Sequence, residues 1–440
     1  MIYYFLPIRN RTQNTVEYTA AIDDAYSIIY DSNVHLEKHE LQYLRQFRHL
    51  FWFPDAIPQK YVFGTYDNSA NLEAVGNIIV YRMINSSNGD YVKFVQDGDD
   101  LRAAYGLHAV KRHMFERETW IPTNREKFLR KWKNGRYLNC LGLNISNSSD
   151  KPVIPDHYVN NVAKFRDFLD SYSAVPFLFG GTLLGWYREC SFIKDTTDVD
   201  LAMKITSLDP RMLKNMEKLN DLKLFWILGK INDSLEVSVY SANIKIDLFF
   251  MYETKNFAWV GGMMISEKKK FRWVYPLISQ ICTGDLLGRL FHVPCNIEEV
   301  LEADYGNWRI PHPTANFTWY KSHKNVHEAG YWNESEWDDA YKWPNACHEV
   351  IKLDSSHRFT KGFPIKTDGI RGHCQAPHAE CSNSILEVKF CTASLASREP
   401  IRLTARGGRN IDIQEMLRRA EMEKVSEDKA YNAIWVNGEE

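Results

Sequence analysis

Asp198-Val199-Asp200 sits inside an apolar run, Val199 to Met203, that reads as a β-strand. Residues two apart on a strand share a face. Asp198 and Asp200 therefore project side by side, while Val199 and Leu201 point into the core. Two carboxylates on one face repel unless a cation lies between them. Oxygen-only ligands suit a hard ion such as Mg²⁺ or Mn²⁺, and such an ion commonly bridges to nucleotide phosphates. A third carboxylate fits the same chemistry. The run Asn243 to Phe250 alternates with period two, so Ile244, Ile246 and Leu248 form one face and Lys245, Asp247 and Phe249 the other. An aspartate in such a strand is costly to bury unless paired or coordinated. If the two strands are neighbours, Asp198, Asp200 and Asp247 form a metal-binding triad. A superficially similar run, Asp97-Gly98-Asp99-Asp100, reads as a polar turn.

The elements that must position these residues are also legible. Gly180-Gly181 follows the apolar strand Phe177-Leu178-Phe179 and suits a backbone that turns sharply close to a ligand. Tyr158, Val162, Phe165, Leu169 and Tyr172 recur at helical spacing ahead of that strand. Asp209-Pro210 reads as an N-cap followed by a first-turn proline. Strands are expected over residues 222–231, 235–241 and 244–252. Strand–helix alternation followed by consecutive strands predicts a mixed α/β (α+β) sheet with flanking helices. Upstream, Leu41, Leu44, Phe47, Leu50 and Phe51 suggest a helix, and residues 75–84 and 91–95 read as a hairpin around Asn88-Gly89. Residues 144–155 read as a linker.

Several of these motifs occur together in one known family. Gly180-Gly181-Thr182-Leu183-Leu184-Gly185-Trp186-Tyr187-Arg188, then Phe192-Ile193, then Asp198-Val199-Asp200, resembles the family that holds fukutin, the fukutin-related protein and the bacterial LicD-type phosphocholine transferases. Ile246-Asp247-Leu248-Phe249 is similar to its later aspartate strand. Val293-Pro294-Cys295, Val300-Leu301 and Tyr305-Gly306-Asn307-Trp308 resemble its closing segment. The likeness runs from about Val175 to Tyr320. Asp195-Thr196-Thr197 replaces a denser acidic run of bacterial members, and Lys194 stands where proline is common. The resemblance implies transfer of a phospho-alcohol, ribitol phosphate in fukutin-like animal members, from a CDP-linked donor to a sugar hydroxyl of a glycoprotein glycan. On that reading Asp198 and Asp200 ligate Mg²⁺ or Mn²⁺, and Asp247 completes the site or takes the acceptor proton. Gly180, Gly181 and Thr182 would cradle phosphate. Arg188 would clamp phosphate through its planar fork, or else be a surface arginine on a short helix. Two other readings share the motifs: a non-catalytic glycan-binding or chaperone-like homologue, and an NTP-dependent nucleotidyltransferase.

The 440 residues, 44% hydrophobic, are enough for two or three domains. The expected division is an N-terminal α/β accessory domain (1–150), a catalytic nucleotidyltransferase-like domain (151–326) and a poorly defined C-terminal extension (327–440). A net charge of −2 argues against nucleic acid as a partner. The eight cysteines permit disulfides without fixing their pairing. Sequons at Asn10, Asn85, Asn144, Asn147, Asn232, Asn316 and Asn333 lean toward the Golgi or ER lumen. At the N-terminus only Met1 to Leu6 is apolar, far short of the ~20 residues of a membrane span. The expectation is a missing anchor, with membrane association if the native start lies further upstream, or secretion by another route. His373, Cys374, His378 and Cys381 are too crowded for an ordinary zinc site and read as a loop. Ile411 to Val425 reads as an exposed charged helix.

Overall fold

The computed structural model describes residues 36–342, apart from breaks at 69–71, 73–74, 88, 97–100, 144, 146–151, 220 and 313–316, and four further three-residue strands. Chain contacts divide it into two units, residues 1–87 with 91–133, and residues 88–90 with 134–440. The boundary between them follows Lys133. The Asp97–Asp100 turn, the His373–Cys381 cluster and most of the 144–155 segment fall outside the described residues.

The first unit carries a seven-stranded sheet. Its strands are β1 (Leu50–Trp52), β2 (Tyr61–Thr65), β3 (Ile78–Asn85), β4 (Tyr91–Val95), β5 (Arg102–Tyr105), β6 (Ala109–Met114) and β7 (Arg117–Pro122), in the order β5-β4-β3-β2-β1-β7-β6. The expected hairpin is present, with β3 antiparallel to β4. The helix expected across Leu41 to Phe51 is shorter. It ends at Leu44, and Leu50 and Phe51 belong to β1. Leu44, Phe47 and Leu50 are all buried in one cluster, so the apolar spacing reflects a shared core rather than a continuous helix.

The second unit is built on a larger mixed sheet. In chain order its strands are β8 (Tyr137–Leu138), β9 (Phe177–Leu178), β10 (Asp198–Lys204), β11 (Lys223–Lys230), β12 (Asp233–Ser241), β13 (Ile244–Glu253), β14 (Ala258–Met264), β15 (Lys269–Tyr275), β16 (Ile281–Leu286), β17 (Arg289–Pro294), β18 (Val326–Tyr331) and β19 (Tyr341–Lys342). The main order is β18-β15-β14-β13-β10-β9-β17-β16-β8, with β12 on β13, β11 on β12 and β19 on β11. β10 and β13 run parallel. Parallel neighbours need a long crossover, here the Pro210–Met216 helix followed by the β11–β12 pair. That helix starts as its sequence foretold: Asp209 is the N-cap and its carboxylate accepts the Arg211 N–H. The Val159–Ser171 helix buries Val162, Phe165 and Leu169.

The Gly180–Glu189 helix is fixed along its length. Trp186 is fully buried, its indole N–H donates to the Asp285 carbonyl at 2.7 Å, and its ring lies against Gly284 of β16. A Cβ at Gly284 would sit 2.0 Å from that ring, so the strand needs glycine there. At the other end Cys190, the C-cap, is disulfide-bonded to Cys140, and Cys282–Cys295 joins β16 to the end of β17. Past residue 326, β18 and the Glu334–Ala340 helix still belong to this sheet system, because Trp332, Trp337 and Tyr341 close a cluster with Trp226 and Leu228. Asn410–Asp412 is a strand paired with Arg402–Thr404, so the helix expected from Ile411 does not begin there.

Candidate active site

The register between β10 and β13 builds the site. Asp198 lies opposite Lys245 and Asp200 opposite Asp247, so four ionisable side chains share one face of two adjacent strands. Val199, Leu201, Ile246 and Leu248 fill the other face and are buried. Asp198, Asp200 and Asp247 each offer a carboxylate oxygen, and these oxygens lie within 4.8 Å of one another. The structure thus brings the three aspartates together. Their all-oxygen donor set suits a hard divalent cation. Burial, then repulsion from Asp198 and from Asp247, pushes the Asp200 carboxyl well above the usual carboxylate range. The Gly181 N–H and Lys245 act the other way.

The Phe179–Thr182 turn holds Asp200 in place. The Phe179 N–H donates to the Asp200 carbonyl at 3.1 Å, and the Asp200 N–H donates to Thr182 Oγ1 at 2.8 Å. The Gly181 N–H donates to Asp200 Oδ2 at 2.9 Å. Gly180 has φ +47°, and a Cβ there would come 2.8 Å from the same oxygen. The double glycine therefore lets the turn close onto the carboxylate. In this arrangement the Gly181 N–H donates to the Asp200 carboxylate and the Thr182 hydroxyl accepts from the Asp200 N–H. Gly180 and Gly181 flank the carboxylate cluster, both within reach of Asp200 Oδ2.

Asp247 is buried and accepts from Ser238 of β12, its cross-strand partner, and from Lys245 Nζ at 3.1 Å. Lys245 also reaches Asp198 at 3.9 Å. Its place on the Asp247 face was legible in the sequence, but no role followed from alternation alone. A second feature that the sequence did not reveal lies in the closing segment. Asp304 is buried and accepts from the Tyr275 hydroxyl at 2.8 Å and pairs with His323 Nδ1 at 3.0 Å. Its neighbour Tyr305 feels the site: burial, Asp304, Asp200 and Asp198 all raise its hydroxyl pKa.

The Arg188 guanidinium is enclosed by protein partners. Its side chain is 5% exposed, its Nε donates to Glu189 at 2.9 Å, its Nη2 pairs with the same carboxylate, and its Nη1 donates to the Trp308 carbonyl at 3.1 Å. It is not a surface arginine; it ties the motif helix to the Tyr305–Trp308 segment. Replacing it would strand a largely buried glutamate. Arg188→Met should lower the unfolding free energy by about 3 kcal/mol, as read by urea unfolding. An unchanged unfolding free energy would refute this structural role.

Comparison with known proteins decides the family. A family model described as "LicD/FKTN/FKRP, nucleotidyltransferase domain" matches residues 174–296, which hold all three aspartates and the double glycine. An uncharacterized Caenorhabditis elegans protein is 34% identical over 268 residues, covering 58% of this chain and 69% of that one. The chain belongs to the LicD/FKTN/FKRP family. A second uncharacterized C. elegans protein is 33% identical over 233 residues, covering 50% of this chain and 60% of the relative. Ribitol-5-phosphate transferase FKTN of Mus musculus is 39% identical over 168 residues, which is 38% of this chain and 36% of that protein. The chain thus matches only about a third of the length of the named transferase. Within this LicD/FKTN/FKRP chain, the matched domain is the one that assembles the carboxylate cluster.

Proposed function

We propose that this chain is a metal-dependent phosphotransferase that moves a ribitol phosphate-like group from a CDP-linked donor to a sugar hydroxyl on a glycoprotein glycan. The observation that carries the proposal is the convergence of Asp198, Asp200 and Asp247 inside the matched nucleotidyltransferase domain. The name of the FKTN relative supports the ribitol phosphate. Asp198 and Asp200, with Asp247, would hold Mg²⁺ or Mn²⁺. Such an ion neutralises charge on the donor phosphates. The acceptor oxygen forms a bond to the distal phosphorus of the donor, the bond from that phosphorus to the bridging oxygen breaks, and CMP leaves. Asp247 is the group within the cluster assigned to the acceptor proton; its Oδ2 lies 3.1 Å from Lys245 Nζ. The Phe179–Thr182 turn fixes the Asp200 oxygen, so that no reorganisation is needed when the donor arrives.

The first unit, which ends at Lys133, is assigned acceptor recognition, since among its described residues there is no cluster of metal-ligating side chains. A Golgi or ER lumenal location is supported by two disulfides and by exposed sequon asparagines at Asn85, Asn232 and Asn333. None of the described helices is long and apolar enough to cross a membrane.

The test is a donor screen with Mn²⁺ or Mg²⁺, using CDP-ribitol, CDP-glycerol, CDP-choline and NTPs with a glycan acceptor. Metal-dependent CMP release from a CDP-alcohol is the expected result. Pyrophosphate release from an NTP would replace the proposal with nucleotidyl transfer. No release from any donor by a folded, metal-loaded protein would favour a non-catalytic glycan-binding homologue.

A further inference from the structure

We infer that Lys245 fills the place of a second metal ion, so that this site takes one divalent cation and presents a fixed ammonium as its other positive charge toward a nucleoside diphosphate. The inference rests on the metal-dependent transfer proposed above and specifies its cation count. Lys245 and Asp247 are two apart on β13, and Asp198 and Asp200 are two apart on β10, with Asp198 opposite Lys245 and Asp200 opposite Asp247. The result is a square of three carboxylates and one ammonium on a single sheet face. Nζ lies 3.1 Å from Asp247 Oδ2 and 3.9 Å from Asp198 Oδ2, bridging the diagonal of the square. The side chain is 11% exposed, and the Trp226 ring of β11 lies 5.5 Å from the ammonium. Held by two carboxylates and an aromatic face, this lysine is pre-positioned rather than a swinging surface cation.

Charge makes the same point. Three ionised carboxylates carry three negative charges, and the ammonium reduces the excess to two, which one divalent ion balances. A second divalent ion would need the Asp247 and Asp198 oxygens that Lys245 occupies, and would meet a positive charge within a few ångströms. Among the described residues Asp200 has no such cation contact within 4 Å: its Oδ2 is oriented by the Gly181 N–H, so the Asp200 side of the square is where an ion is accepted. An ammonium is a compact, strongly charged donor suited to a phosphate oxygen. Its role here would be a permanent counter-charge that needs no metal to be recruited.

The test counts Mn²⁺ on the full chain, with and without CDP, by calorimetry and by electron paramagnetic resonance. One Mn²⁺ per chain is expected for the unaltered protein. Lys245→Met should bind two, with spin–spin broadening in the resonance spectrum and tighter binding of the first ion by at least about ten-fold. Lys245→Arg keeps the charge and should stay at one. Two ions on the unaltered protein, or one on a Lys245→Met protein that melts cooperatively, would overturn the inference and leave the transferase proposal standing. No ion on the unaltered protein would overturn the metal-dependent proposal and this inference together. If Lys245→Met does not fold, the counts for the unaltered protein and for Lys245→Arg decide the matter.

Discussion

Asp200→Asn is expected to abolish turnover, by at least a factor of about a hundred, while making the metal-free protein more stable. Both outcomes come from one geometry. The Asp200 carboxyl is desolvated and faces the Asp198 and Asp247 carboxylates, and its pKa is raised for those reasons. Ionising it in the folded state is therefore harder than in the unfolded chain. A carboxyl whose folded pKa is raised contributes stability at low pH, below its unfolded value, and that contribution disappears as pH rises through the folded value. At neutral pH the metal-free protein thus holds an electrostatic strain that a divalent ion relieves. Asparagine keeps an oxygen for the Gly181 N–H but carries no charge. Thermal melts in chelator should show the variant above the parent by a few degrees at pH 7 (about 1 kcal/mol corresponds to several degrees in a domain), with the gap narrowing toward pH 4. Added Mn²⁺ should stabilise the parent much more than the variant. Near-normal turnover by the variant would remove Asp200 from the machinery, and a variant less stable than the parent in chelator would refute the strain.

The second large effect is expected at Gly180. Its φ of +47° is one that L side chains rarely adopt, and a Cβ would press against Asp200 Oδ2 at 2.8 Å. Gly180→Ala should lower the unfolding free energy by roughly 2 kcal/mol, from left-handed backbone strain. It should also cut turnover by at least about ten-fold, because a displaced ligand oxygen weakens a geometry on which the chemistry depends. Gly181→Ala is the internal control. Its Cβ would meet the same oxygen at 3.4 Å, an ordinary contact, without a positive φ. That variant should retain most activity and stability. Equal losses in the two variants would show that the double glycine serves something other than the approach to Asp200.

Much of this site could be read along the chain because its parts follow short-range rules. Period-two alternation put Asp198 and Asp200 on one face and set Asp247 opposite a buried stripe; the burial of Val199, Leu201, Ile246 and Leu248 follows that pattern. The Asp209-Pro210 helix start and the β3–β4 hairpin are local chemistry too, a cap and a turn that need no distant partner. Leu41 to Phe51 misled for the same reason: Leu44, Phe47 and Leu50 meet in one cluster although a helix end and a strand separate them, and spacing alone does not distinguish that from a continuous helix.

What the linear pattern left open is set by contacts between residues far apart in the chain. The parallel pairing of β10 with β13 puts Asp200 beside Asp247, and a one-residue slip would have turned one set of carboxylates into the core. The same register places Lys245 against Asp198, giving a lysine that looked merely polar a defined position in the cluster. The Gly181 N–H and the Thr182 hydroxyl had only generic capacity as donor and acceptor until the fold delivered Asp200 to them. Arg188 was equally ambiguous until Glu189 and the Trp308 carbonyl, the latter 120 residues away, enclosed it. Eight cysteines allow many pairings, and only chain proximity selects Cys140–Cys190 and Cys282–Cys295. Local alternation and capping set which residue types face which way along each element. Which elements meet, and in what register, is set only on folding, because hydrogen-bond pairing and core burial are satisfied between segments whose separation in the chain carries no local signal.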